Sequence, residues 1–364
     1  MLNKPIFNIL IFTLLIVAAF SQERKVVEIP LGGSANDRSL EMSSLTWFKD
    51  ELVLMPQYID YDDPAFYVIK KAKINKWLKS ESSDPIVPQK IKLELTDFRK
   101  TIQGYQGFEA ICFSGRNIYL IIESKDDGSM KSFIIKGVIN RKSGIISIQE
   151  ESLKEIPLPI NIKNMGFESI FEYKNQIVTL FEANGSNIYV EPKAIAFNKE
   201  LSEYNFIEFE NLEYRLTDVS RVDNRGRFWA INFFWPGEEK RLKPGYDEVL
   251  EKTKKGKTHS TYKHVERLIE FQIKNNSITR TTADPIQLEL NQESRNWEGL
   301  VRLDRTGFLM IVDEYPRTIL AFVKKYDFYD DVENYVEEKY HGYQIDSMFT
   351  NHNNKLEFDD PLDF

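Results

Sequence analysis

Three short segments place a carboxylate behind an aromatic residue: Phe108-Glu109-Ala110-Ile111, Phe167-Glu168-Ser169-Ile170 and Trp297-Glu298-Gly299-Leu300. Each leads into a β-like apolar run: Ile118 to Glu123, Ile177 to Glu182, and Phe308 to Asp313. The template reads acidic or Ser at position zero, aliphatic near +2, apolar near +4, a turn, then an apolar strand from +9 or +10. Two further copies fit it. Ser43-Ser44-Leu45-Thr46-Trp47 precedes Leu52-Val53-Leu54, and Asp218-Val219-Ser220-Arg221-Val222 precedes Asp223-Asn224-Arg225-Gly226 and Phe228-Trp229-Ala230-Ile231, with Ser220 replacing the aliphatic at +2. The zero positions are Ser43, Glu109, Glu168, Asp218 and Glu298, separated by 66, 59, 50 and 80 residues. That spacing matches one four-stranded propeller blade plus loops.

Further strand candidates follow: Met130 to Ile139 and Ile145 to Gln149, Ile188 to Phe197 and Phe206 to Phe209, Val265 to Ile273 and Ser277 to Thr281, and Thr318 to Lys324. Val26 to Pro30 is left over at the amino end. Paired with the last unit it would close a ring and cover exposed edges. The expected fold is therefore all-β, a five-bladed β-propeller closed by an N-terminal strand. A six-bladed ring is the alternative, with a blade inside the 80-residue interval. That interval carries a basic insert, 240–263, which reads as a solvated loop or as a cationic lid that draws in an anion.

Residues 1–21 have the layout of a secretory signal peptide: Lys4, an apolar run from Ile6 to Phe20, and small Ala19 and Ser21 before a cut at Gln22. An apolar run of about 15 residues is short for a membrane span, so no stable span is expected after cleavage. Residues 22–326 are assigned to the propeller and 327–364 to an acidic, aromatic C-terminal tail. The expected location is secreted or periplasmic. The single cysteine, Cys112, excludes intramolecular disulfides and reads as a buried thiol. A net charge of −8 disfavours a nucleic-acid polymer as partner. Oligomeric state is not legible.

Side chains at zero, +2 and +4 of a regular strand share a face, which sends the zero residues towards the ring axis. Four converging carboxylates need compensation, and a hard cation supplies it. An all-oxygen set of Ser43, Glu109, Glu168, Asp218 and Glu298 suits Ca²⁺. None of the four histidines lies in a unit motif, which argues against zinc. The alternative is that these acids bond backbone amides at blade junctions. Glu123, Glu182 and Asp313 end the second strands on the same opening, where Gln57 matches them. They are the candidate bases. Arg215 and Arg295, each three residues before a ring acid, and Arg317 are candidate phosphate clamps. Trp235, Tyr315 and Trp297 offer flat faces to a base or sugar.

The blade starts Met42-Ser43-Ser44-Leu45, Glu109-Ala110-Ile111, Glu168-Ser169-Ile170 and Trp297-Glu298-Gly299-Leu300 resemble those of the calcium-dependent apyrases. Asp218 stands where that family's pattern has Ser. The resemblance spans the blade starts over residues 40–325 and implies a five-bladed propeller centred on Ca²⁺. Bacterial esterase-like and phytase-like propellers, and more distantly the lactonase type, are similar too. The function these readings imply is an exported Ca²⁺-dependent hydrolase of phosphate esters or phosphoanhydrides, acting on an anionic small molecule. The alternatives are a non-catalytic secreted propeller with structural Ca²⁺ that binds a glycan, peptide or surface partner, and a lactonase- or esterase-like enzyme.

Overall fold

Tight turns direct the chain. Lys174-Asn175 and Asn275-Asn276 hold both central residues at positive φ, as does Asp127-Gly128. Such two-residue turns match the twist of the strands they join. The computed structural model describes residues 23–80, 83–140, 142–253 and 256–325; the signal-peptide and tail assignments lie outside them.

The first strand, β1 (Val26–Ile29), belongs with the end of the chain. Unit one is β2 (Met42–Phe48), β3 (Glu51–Pro56), β4 (Ala65–Lys70) and β5 (Gln89–Glu94), with helix α1 (Lys71–Ser80) inserted before β5. Unit two is β6 (Tyr105–Ser114), β7 (Asn117–Asp126), β8 (Ser129–Ile139) and β9 (Ile146–Ile156). Unit three is β10 (Phe167–Tyr173), β11 (Gln176–Phe181), β12 (Lys193–Asn198) and β13 (Tyr204–Phe209). Unit four comprises β14 (Arg215–Val219), β15 (Arg227–Phe234), β16 (Val265–Lys274) and β17 (Ser277–Arg280), with the short β18 (Ile286–Gln287) beside β16. Unit five is β19 (Trp297–Leu303), β20 (Gly307–Val312) and β21 (Ile319–Lys324), and β1 completes it antiparallel to β21.

The molecule is an all-β propeller. Among the described residues the strands form five four-stranded antiparallel units, whose inner strands β2, β6, β10, β14 and β19 neighbour one another in a closed cycle. The interval between Asp218 and Glu298 holds β15 to β18 and two short helices, α2 (Glu239–Leu242) and α3 (Glu248–Lys252), and no further four-stranded unit among the described residues. The core lies between units rather than inside one. Leu45 and Leu54 of unit one pack with Leu309 and Ile311 of unit five, and Val53 and Met55 pack with Phe108 and Ile111 of unit two. Three similar clusters fill the remaining junctions. Each fully buried large apolar side chain contributes about 1.5–3 kcal/mol, so every unit depends on both neighbours.

At every zero position the inner strand slips register against the second strand. Met42 pairs Pro56 but Ser44 pairs Met55, so Ser43 is the extra residue. The same holds for Glu109, Glu168 and Glu298, and Asp218 lies in the wider slip between Leu216 and Val219. A bulge leaves one residue unpaired and bends the strand. Simple alternation from zero to +4 therefore does not apply; the ladder resumes at +1. That position is Ser44, Ala110, Ser169 and Gly299 in four units, because inner strands crowd there. A Cβ on Gly299 would lie 2.5 Å from Ile311 Cγ2 and 2.9 Å from the Leu45 backbone nitrogen. Gly299→Ala is expected to destabilise by about 1–3 kcal/mol through overpacking, read as a lower urea midpoint with an unchanged slope.

Candidate functional site

Arg215 opens β14 and occupies the centre of the acidic ring. Tyr214 before it is held at φ 74° and stacks on Phe234 at 4.6 Å, which fixes the strand entry. Buried Asn232 of β15 donates to the Arg215 carbonyl at 3.1 Å. The Arg215 guanidinium then spends its donors on three neighbours. Nε donates to Glu182, Nη2 donates to both oxygens of Glu168 at 2.8 and 3.0 Å, and Nη1 donates to Asn296 Oδ1 at 3.2 Å. Glu238 and Glu298 also lie 3.8 Å from it.

Asn296 links this arginine to unit five. Its amide donates to Glu298 at 2.6 Å and to Asp313 at 2.8 Å. Asp313 accepts in addition from the Tyr315 amide. Glu109 accepts from Gln57 at 2.8 Å, so the residue just after β3 reaches the bulge of the next unit. Glu123 borders Gly166, where a side chain would collide with its carboxyl, and the Gly166 amide donates to Glu182. The structure thus gathers Glu109, Glu123, Glu168, Glu182, Glu298 and Asp313 around one guanidinium.

One positive charge cannot hold all of these ionised. Burial, then Glu123 and Glu182, pushes the Glu109 carboxyl well above the usual carboxylate range. Burial, then Asp313, does the same to Glu298, and burial also raises Asp313. Burial and Glu182 push Glu123 up to about 8. Burial also drives Glu168 upward, and Arg215 opposes that. Glu41, two residues before Ser43, is raised to about 7 by burial and by Glu314 and Asp313. The half-exposed Tyr58 hydroxyl is pushed up to about 12 by burial and by Glu41, Glu109 and Glu123, so these acids share one opening.

The other expected residues lie differently. Asp218 is buried and accepts from the amides of Val219 at 2.7 Å and Leu300 at 2.8 Å, tying unit four to unit five. Burial raises its pKa, and these amides oppose the shift. Ser43 donates to the Phe108 carbonyl at 2.7 Å. Arg295 does not reach the ring; its guanidinium pairs with Glu266 of β16 at 2.8 Å and stacks over Trp297, which is itself fully buried. Arg317 pairs with Glu28 at the exposed outer strand. Glu182 is fully buried, with both oxygens accepting. Cys112 is buried in β6.

Calcium does not fit the five bulge residues in this arrangement. Both Glu168 oxygens accept from Arg215, Asp218 is committed to backbone amides, and the Ser43 hydroxyl is spent on a carbonyl. Among the described residues no group of three or more His, Cys, Asp or Glu side chains is placed to hold a metal ion.

The basic insert follows β15 on the opening side, and one of its first cations is already paired. Arg241 binds Glu238 and the Lys163 carbonyl. Sequence reasoning missed Glu41, Asn296 and Glu238. Glu41 and Asn296 both stand two residues before a zero position, a register that would have found them. No helix of the described residues is long and apolar enough to cross a membrane.

No family model matches the chain, and no curated protein sequence does. Among solved structures it is similar to an exo-β-1,3-galactanase of Phanerochaete chrysosporium at 8% identity and TM-score 0.47, covering 84% of this chain and 65% of that one. An α-L-arabinanase of Cellvibrio cellulosa is similar at 8% identity and TM-score 0.41, over 79% of this chain and 93% of that one. A Bombyx mori β-fructofuranosidase is similar at 10% identity and TM-score 0.43, over 88% of this chain and 66% of that one. No residue role is carried over at such distances.

The raised acids set a pH dependence. A carboxyl whose folded pKa lies above its unfolded value binds its proton more tightly when folded. Its stabilisation is present below the unfolded value of 4.5 and is lost as pH rises through about 7 for Glu41 and about 8 for Glu123. The melting temperature is expected to fall across that window, and Glu123→Gln to flatten the fall, as measured by thermal melts over a pH series.

Proposed function

We propose that the opening is the active centre of a hydrolase that works by carboxyl acid–base chemistry on an uncharged, hydroxyl-rich substrate, a glycoside. One observation carries this reading. A partly accessible carboxyl that burial and Glu182 push up to about 8, Glu123, lies in the same acidic ring as Glu168, whose two oxygens both accept from Arg215. Glycoside hydrolysis uses two carboxyl groups in different roles, and here burial raises both while a direct guanidinium contact opposes the shift at Glu168 alone. Glu123, protonated at neutral pH, donates to the leaving-group oxygen as the glycosidic bond breaks. Glu168, whose ionised form Arg215 favours against burial, supports the positive character that develops at the sugar carbon. A water then adds to that carbon, and its proton passes to the Glu123 carboxylate, which restores the acid.

The rim fits such a substrate. Tyr58, Trp235 and Tyr315 follow the second strands of units one, four and five, and are 39%, 53% and 58% exposed. Flat aromatic faces beside an acidic centre favour a neutral sugar over a phosphate. The phosphate-ester reading drew on three arginines as candidate clamps, and each of the three is engaged by a carboxylate. A second reading, a non-catalytic carbohydrate-binding propeller, draws on the saturation of Glu182 and Glu168 by Arg215.

The experiment is a panel of aryl glycosides, oligosaccharides and aryl phosphates with the wild type and Glu123→Gln. Glycoside turnover is expected, lost as pH rises through about 8 and reduced about 100-fold or more in Glu123→Gln for substrates with poor leaving groups. Binding without turnover would select the second reading. Turnover of phosphates alone would overturn both.

A further inference from the structure

We propose that the guanidinium of Arg215 is the resident cation of the propeller axis, and that it does there what a divalent metal would otherwise do for the acids at the blade starts. Three observations carry this. First, its donors are matched to the ring: Glu182 on Nε, both oxygens of Glu168 on Nη2, and Asn296 on Nη1, with Glu238 and Glu298 at 3.8 Å. Guanidinium is a planar fork with a permanent charge, and it binds carboxylates bidentately where an ammonium cannot. Second, the group is buried, only 8% exposed, so the acids around it have little water to share their charge with. Third, the cation is tethered. It is covalently part of an inner strand, which makes its local concentration independent of the medium.

The comparison with Arg295 shows that register alone does not produce this. Arg295 also stands three residues before a zero position, yet its partner is Glu266 of the third strand. What draws Arg215 to the axis is Glu182 just after β11, on the unit before its own, together with the bulged Glu168. The chain therefore meets the charge problem of a converging acid ring from within its own sequence. It follows that the fold is indifferent to divalent cations, and that removing the guanidinium should create a demand for one.

The test is stability, and it does not depend on the hydrolase reading. Wild-type protein is melted with EDTA, and with millimolar CaCl₂, and is titrated with Tb³⁺ while following luminescence sensitised by tryptophan. Unchanged melting and no saturable Tb³⁺ signal are expected. Arg215→Ala should melt at a markedly lower temperature in EDTA and recover saturably with Ca²⁺. Arg215→Lys, which keeps the charge but loses the fork, should fall between the two in EDTA. If Arg215→Ala does not fold, the lysine variant and the wild-type arms decide. A wild-type melting temperature that drops in EDTA and recovers with Ca²⁺ would overturn the proposal. So would an Arg215→Ala protein that melts like wild type, or one that folds and gains nothing from Ca²⁺.

Discussion

Charge compensation on the axis is the constraint from which the rest of this propeller follows. Five units can close only if their inner strands converge, and convergence brings the bulged residue of each towards its neighbours. Where those residues are acids, the centre is unstable unless the charge is cancelled or the protons are retained. This chain does both. Arg215 binds Glu168 and Glu182 directly, while burial leaves Glu109 and Glu298 favouring their protonated forms. The unit junctions carry the complementary share: Asp218 has been withdrawn from the centre and used to hold the Leu300 amide.

Much of this arrangement is legible in the sequence. Registering the blade starts located the five zero positions, though not that they are bulged, and the leftover Val26 to Pro30 segment located the closing strand, because both are written in hydrophobic period and spacing. Three features were not legible. A bulge has no residue code of its own; Ser, Glu and Asp occupy it equally well, so the face of each side chain had to be seen. The arginines were ambiguous because equal register positions met different partners, Glu182 in one case and Glu266 in the other. Trp297 resembled a rim aromatic and is core, since Glu266 supplies an acceptor for its indole at 2.7 Å.

The same arrangement links fold to chemistry. A ring stabilised by an external ion would commit its acids as ligands and leave reactivity to the ion. A ring stabilised by an internal arginine leaves several carboxyls near the opening at different degrees of proton retention. Glu123 and Glu41 lie at that boundary, partly accessible and held upward by their acidic neighbours. The aromatic side chains that follow the second strands then border a centre whose local polarity is set by proton occupancy.

The pairing of β1 with β21 joins the beginning of the described chain to its end, Val26 opposite Val323. Contacts of such high sequence separation are slow to form, because loop closure must be met before they contribute. During synthesis four units can assemble in order, while the fifth stays open at its outer edge and β1 waits without a partner. A chain halted before β21 would present both surfaces at once. Completion of the ring thus requires synthesis to have reached β21, and products truncated before it would carry unpaired edges prone to aggregation or proteolysis.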